Sequence, residues 1–123
     1  MSRILYVEDD ALLQADGEAW LEEAGYEVIL TSDGEAASAL LQEHGARVDG
    51  LISDIGLPGK IQGWQIACLG RQINCDLPVI YLTGHALAEY QQMKVSGSVM
   101  APKPFNWRWV ITSMSGLLLP AGA

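Results

Sequence analysis

The chain has 123 residues, half of them hydrophobic, which is enough for one domain with a sizeable buried core. Its 15 acidic residues outnumber its 7 basic ones, and the formal net charge of −8 argues against direct binding of nucleic acid, because that affinity comes largely from cations that neutralise phosphates. No apolar run approaches the ~20 residues that cross a bilayer, and no signal-peptide pattern precedes the first strand, so we expect a cytoplasmic protein without membrane contact.

The first two predicted strands each lead into a predicted helix. The apolar run 4–7 predicts a strand buried on both faces, and the run 27–31 predicts a second strand. A helix over 11–23 follows the first strand, and a helix over 35–43 follows the second. Helical spacing gives the first helix one apolar face, formed by Leu13, Gly17, Trp20 and Ala24.

A third apolar run, 50–54, ends in the carboxylate of Asp54, and the Gly/Pro-rich segment 56–63 then turns the chain away. The remaining predicted elements are a helix over 64–73, a strand over 79–83, a looser helix over 87–95, a short strand over 98–101 and a helix over 107–118. Strands that alternate with helices are typical of a parallel sheet with helices on both faces. We therefore expect a single α/β domain over 1–123, a flavodoxin-like doubly wound sheet of five parallel strands in the order 2-1-3-4-5 with five helices.

Acidic side chains stand where two of these strands end. Glu8, Asp9 and Asp10 follow the first strand, and Asp54 ends the third. If the two strands are neighbours, Glu8, Asp9 and Asp54 lie together, and their mutual repulsion calls for a cation or for raised pKa values. Carboxylate oxygens with room for water suit Mg²⁺. Alternatively, the three acids after the first strand only cap the first helix, where negative charge is favourable.

A hydroxyl and an ammonium stand at the ends of the last two strands. Thr83 closes the fourth strand, and Lys103 follows the fifth between two prolines. A carboxylate nucleophile, a divalent ion, a hydroxyl donor and an ammonium together can hold a phosphoryl group, with Asp54 supplying the attacking oxygen.

With these residues the chain resembles receiver domains of the two-component response regulator family, and the matching segments are 4–10, 51–59, 78–84 and 103–105. The resemblance implies that Asp54 accepts a phosphoryl group from a histidine kinase or a histidine phosphotransfer protein, with Mg²⁺ as the cofactor. It also implies that Thr83 and Lys103 contact the phosphoryl oxygens and couple phosphorylation to a rearrangement. The implied metal ligands are the side chains of Glu8, Asp9 and Asp54 and the backbone carbonyl of Gly56.

Three positions near the implied site bear on the switch and its kinetics. Met100 stands where the family usually has Tyr or Phe, so we expect the signal through the last two strands to be weaker or differently built. Gly56 and His85 lie two residues after Asp54 and two after Thr83, where side chains in the family tune the access of water to the aspartyl phosphate.

The resemblance implies a regulatory domain rather than an enzyme, one that assists its own phosphotransfer and dephosphorylation and acts on a downstream protein target. It is either a single-domain regulator or the receiver of a larger protein such as a hybrid histidine kinase, and its apolar last helix could support a homodimer. A phosphatase of the haloacid dehalogenase type is disfavoured because Gly56 stands where a second Asp is needed. A flavodoxin-like cofactor site is disfavoured because Glu8-Asp9-Asp10 would repel phosphate. The remaining alternative is a pseudo-receiver that binds proteins independently of phosphorylation.

Overall fold

The computed structural model describes residues 1–84 and 87–119. Five parallel strands form one sheet in the order β2-β1-β3-β4-β5, which confirms the predicted topology. The strands are β1 Arg3–Val7, β2 Glu27–Thr31, β3 Gly50–Asp54, β4 Val79–Thr83 and β5 Val99–Pro102. The helices within the described ranges are α1 Ala11–Glu23, α2 Gly34–His44, α3 Gly63–Ile73, α4 Leu87–Met93 and α5 Trp107–Leu118, with a 3-10 turn at Gly45–Arg47. None of these helices is long and apolar enough to span a membrane.

The fourth helix is shorter than the predicted 87–95. It ends at Met93, and the backbone N–H of Val95 donates to the hydroxyl of Tyr81, 3.2 Å away, instead of continuing the helix. Gly97 then takes a left-handed conformation with φ of +73°, which a glycine adopts without steric cost. A hydrogen bond to a residue of β4 therefore decides where this helix stops.

The sheet separates two layers of apolar side chains, because successive residues of a strand point to opposite faces. In β1, Leu5 and Val7 pack with the side chains of α2, α3 and α4, whereas Ile4 and Tyr6 pack with those of α1 and α5. The predicted face of α1 was partly wrong: Leu21 is fully buried, while Ala24 is exposed. All five residues of β3 and all five of β4 are buried. The carboxyl ends of these two strands lie within the edge of the sheet at which all five strands end.

Candidate functional site

The register of the central strands places the first acidic residues beside Asp54. In the pairing of β1 with β3, Val7 stands opposite Ser53, so Glu8 and Asp54 follow side by side at the carboxyl edge of the sheet. The carboxylates of Glu8, Asp9 and Asp54 each have an oxygen within 4.8 Å of the others. Glu8 and Asp54 are buried and Asp9 is exposed, so the cluster opens to solvent on one side.

The three consecutive acids after β1 divide into two roles. The Oδ1 of Asp10 accepts hydrogen bonds from the backbone N–H groups of Leu12 and Leu13, at 2.9 and 3.1 Å, and so caps α1. The Oε2 of Glu8 accepts from the backbone N–H of Asp10, a residue that precedes the helix, at 3.1 Å. The capping alternative therefore describes Asp10, while Glu8 and Asp9 join Asp54.

Lys103 reaches the same cluster from the residue position directly after β5. Pairing of β4 with β5 sets Pro102 opposite Thr83, and the backbone N–H of Lys103 donates to the carbonyl of Thr83 at 2.6 Å. From there the Nζ of Lys103 lies 2.8 Å from Oδ1 of Asp54 and 3.7 Å from Oε1 of Glu8. The Lys103–Pro104 peptide bond is cis.

Burial and crowding of charge shift two pKa values at the site. Burial, together with the adjacent Asp54 carboxyl, raises the pKa of Glu8 to about 8, although the Asp10 N–H and the Lys103 charge offset part of the effect. Burial alone would lower the pKa of Lys103, but the hydrogen bond to Asp54 and the surrounding carboxylates outweigh it, so that pKa lies above its usual value. Lys103 is therefore a permanent cation at neutral pH, and Glu8 is a carboxyl that a second cation would help to ionise.

The start of α3 packs directly against the backbone of Asp54. A Cβ added at Gly63 would lie 2.2 Å from the carbonyl oxygen of Asp54, so only a glycine permits this approach. The backbone N–H of Gly63 donates to the carbonyl of Ile55 at 2.9 Å, and the N–H of Ile55 donates to the carbonyl of Leu82 at 3.2 Å. The carboxylate of Asp54 thus stands on a backbone held by both the sheet and a helix.

The chain matches one family model, curated relatives and solved structures over most of its length. The family model of the response regulator receiver domain matches residues 4–111. The transcriptional regulatory protein CpxR of Escherichia coli (strain K12) is 33% identical over 120 residues, which are 96% of this chain and 50% of CpxR. A crystal structure of a response regulator receiver protein from Sinorhizobium medicae superposes with a TM-score of 0.92 at 36% identity, covering 95% of this chain and 94% of that one. The receiver domain of the hybrid histidine kinase CckA superposes with a TM-score of 0.80 at 30% identity, covering 96% and 100%.

This chain belongs to the response regulator receiver domain family. Receiver domains are regulatory parts of two-component signalling systems. The chain spans about half the length of the curated relatives it matches.

Three of the four further predicted positions lie among the described residues. Thr83 is buried at the end of β4, where its carbonyl holds the backbone of Lys103. Gly56 is exposed, and a Cβ added there would meet nothing within 4 Å, so the entrance beside Asp54 is open at this point. Met100, in β5, stands opposite Tyr81 of β4. It is partly buried and packs against the core layer of α3 and α4. His85 lies outside the described residues.

Sequence reasoning missed an aromatic cluster in the core layer that Met100 joins. The ring of Tyr81 lies 4.7 Å from that of Trp64 and 5.9 Å from that of Tyr90, between ring centroids. The hydroxyl of Tyr90 donates to the carbonyl of Ser98 at 2.8 Å, and so ties α4 to the start of β5. These rings come from three separate elements, so no spacing in the sequence indicates that they meet.

A cavity of about 500 Å³ opens beside Lys103, between α1 and the connection from β5 to α5. Its lining is mostly apolar and consists of Leu13, Asp16, Gly84, Lys103, Pro104, Phe105 and Trp107. Of the residues gathered at the site, Lys103 lines this cavity, whereas Glu8, Asp9 and Asp54 are not part of its lining.

Proposed function

We propose that this receiver is a phosphoacceptor switch in which Asp54 accepts a phosphoryl group from a histidine kinase or a histidine phosphotransfer protein. One observation carries the proposal: the buried carboxylate of Asp54 lies 2.8 Å from the ammonium of Lys103 and within 4.8 Å of two further carboxylates. A buried carboxylate between a fixed cation and an acidic cluster has the parts that phosphoryl transfer needs, a nucleophile and charges that steady the phosphoryl oxygens.

The residues around Asp54 fit Mg²⁺. Glu8, Asp9 and Asp54 offer oxygen ligands only, and hard divalent cations prefer oxygen. The buried Oε1 of Glu8 accepts no hydrogen bond from the described residues, as expected for an atom that faces a cation site. The backbone carbonyl of Gly56 would complete the protein ligands. When bound, Mg²⁺ supplies positive charge that neutralises the oxygens of the phosphoryl group.

In the proposed transfer, a carboxylate oxygen of Asp54 forms a bond to the phosphorus of a phosphohistidine. The phosphorus–nitrogen bond of the donor breaks, its electron pair returns to the imidazole nitrogen, and that nitrogen takes up a proton. Lys103, which holds Asp54 directly before the reaction, moves its contact to a phosphoryl oxygen. The Thr83 hydroxyl binds another phosphoryl oxygen from the end of β4.

The aspartyl phosphate would then shift an equilibrium between two conformations of the receiver and so change the binding of a downstream protein. The backbone hydrogen bond from Lys103 to Thr83 joins the ends of β4 and β5, so a change at either residue reaches both strands. CpxR is a transcriptional regulator and CckA a hybrid kinase. Whether residues 1–123 belong to a regulator or to a hybrid kinase, we propose that they bind a protein. Their net charge of −8 disfavours direct binding of nucleic acid.

The test is the intact mass of the purified protein after incubation with Mg²⁺ and acetyl phosphate. We expect a gain of one phosphoryl group that requires Mg²⁺ and that Asp54→Asn, which preserves size, abolishes. Beryllofluoride with Mg²⁺ should likewise change the tryptophan fluorescence of the wild type only. A wild type that responds to neither reagent would favour the pseudo-receiver, and labelling that survives in Asp54→Asn would point to another acceptor.

A further inference from the structure

The loop between β3 and α3 follows Asp54 directly and contains Gly56. It is anchored on both sides of Gly56. Ile55 is held by the backbone hydrogen bonds to Leu82 and Gly63, and Leu57 is held by the side chain of Gln62. Ile55 and Leu57 are buried, whereas Gly56 between them is exposed.

The amide of Gln62 pairs with Leu57 as a neighbouring strand would. Its Oε1 accepts from the backbone N–H of Leu57 at 2.8 Å, and its Nε2 donates to the carbonyl of Leu57 at 3.0 Å. The same Nε2 also donates to the carbonyl of Gly59 at 3.3 Å. One side chain therefore satisfies both polar backbone groups of a buried residue, which needs a donor and an acceptor on the same planar group.

The orientation of Gly56 depends on these anchors. Glycine has no side chain with which to hold its own position, and its backbone is the least restricted of all residues. The residue before it is fixed by the sheet and by α3, and the residue after it is fixed by Gln62. Loss of the hydrogen bonds between Gln62 and Leu57 would allow the backbone carbonyl of Gly56 to change its orientation.

We propose that Gln62 is a positioning residue for the Asp54 site: its amide fixes the loop so that the Gly56 carbonyl is oriented for the metal ion. The inference rests on the proposed function, which assigns that carbonyl to Mg²⁺. Groups that orient metal ligands through hydrogen bonds typically change metal affinity 10–100-fold, roughly, when they are removed.

The chain offers a matched control at Gln65. The carbonyl oxygen of its side chain accepts from the backbone N–H of Gln62 at 2.9 Å and thereby caps the start of α3. Gln65→Ala loosens the same helix end but leaves the bonds to Leu57 in place. Gln62→Ala removes those bonds, and Gln62→Glu keeps an acceptor for the Leu57 N–H but loses the donor to the two carbonyls.

The experiment measures the Mg²⁺ dissociation constant by titration calorimetry and the exchange rate of the Leu57 amide hydrogen by NMR. We expect Gln62→Ala to weaken Mg²⁺ binding about tenfold and to speed exchange at Leu57. Gln62→Glu should weaken binding to a smaller extent, and Gln65→Ala should leave the dissociation constant unchanged. If Gln62→Ala fails to fold, the comparison of Gln62→Glu with Gln65→Ala decides the question in the same way.

Equal Mg²⁺ affinity in the wild type and Gln62→Ala would overturn the role of Gln62. Equal losses in the Gln62 and Gln65 variants would also overturn it, since the effect would then belong to the helix end. A wild type that takes up a phosphoryl group while Gln62→Ala binds Mg²⁺ normally refutes this inference alone. A wild type that binds no Mg²⁺ refutes the proposed function and this inference with it.

Discussion

Lys103 and Asp54 form the direct ion pair of the site, with Nζ 2.8 Å from Oδ1. The lysine side chain is partly exposed, whereas the carboxylate is buried. The pair therefore compensates a buried negative charge with a cation that can still move toward solvent or toward an incoming group. A second carboxylate, that of Glu8, shares the same ammonium at 3.7 Å, so one positive charge serves two buried acids.

Replacement of Lys103 by methionine tests whether this cation acts in phosphoryl transfer. Lys103→Met keeps the apolar stem and removes the charge, so we expect the rate of labelling by acetyl phosphate to fall about 100-fold. Mg²⁺ affinity should rise, because the competing cation leaves the carboxylate cluster. Lys60→Met, at an exposed residue, changes the net charge equally and should alter neither quantity. Weaker Mg²⁺ binding in Lys103→Met would mean that the lysine organises the cluster rather than competing with the metal.

The raised pKa of Glu8 predicts that Mg²⁺ binding depends on pH. Below a pKa of about 8 the carboxyl is mostly protonated, and the ion must displace that proton to bind. We expect the affinity to fall by up to about tenfold for each pH unit below 8 and to level off above it. Calorimetry in buffers of different ionisation enthalpy would measure the released proton directly. Glu8→Gln should flatten the profile, and an unchanged profile in that variant would assign the titration to another group.

The same shift predicts how pH affects stability without metal. A carboxyl whose pKa is higher in the folded protein binds its proton more tightly there than in the unfolded chain. Its contribution to the free energy of unfolding is therefore largest below pH 4.5 and is lost as the pH rises toward 8. Urea titrations at several pH values would show a steeper decline for the wild type than for Glu8→Gln, and saturating Mg²⁺ should remove the difference. Parallel profiles for the two proteins would contradict the shift.

Gly63 is predicted to be irreplaceable at the start of α3. Gly63→Ala places a methyl group 2.2 Å from the carbonyl oxygen of Asp54, so either the helix or the Asp54 backbone must shift. We expect a loss of about 3 kcal/mol in the free energy of unfolding, measured by urea titration, and a weaker response to beryllofluoride. Gly116→Ala in α5 is the control: a Cβ there meets nothing within 4 Å, and the change should stabilise the protein by about 0.5 kcal/mol. Similar effects at the two glycines would refute the packing argument.

Leu21 is predicted to contribute far more to stability than Leu12, although both lie in α1. Leu21 is fully buried, and Leu21→Ala should cost about 3 kcal/mol because it removes apolar contacts and leaves a cavity. Leu12 is 82% exposed, so Leu12→Ala should change the free energy of unfolding by less than about 0.5 kcal/mol. Thermal or urea unfolding of the two variants measures the difference, and comparable losses would mean that α1 buries a different face in solution.

The sequence was sufficient for the order and type of the elements. Apolar runs of four or five residues that alternate with helical spacing specify a parallel sheet, because both patterns are local and repeat along the chain. Polar residues that end those runs, such as Asp54 and Thr83, could be assigned to one edge of the sheet for the same reason. The cap of α1 was also readable from the sequence, since Asp is a residue type that prefers the N-terminal cap of a helix.

The tertiary structure alone decided which distant groups complete those local patterns. The end of α4 depends on a hydroxyl of β4, and the buried face of α1 depends on how the helix rotates against α5. The role of the Gln62 amide could not be predicted although Leu57 is only five residues away, because the bonds between them depend on how the intervening loop folds. The preference of a residue for helix, strand or cap depends on its neighbours in the sequence. A hydrogen bond or a ring contact requires a partner at a particular distance and angle, and only the folded chain brings that partner into place.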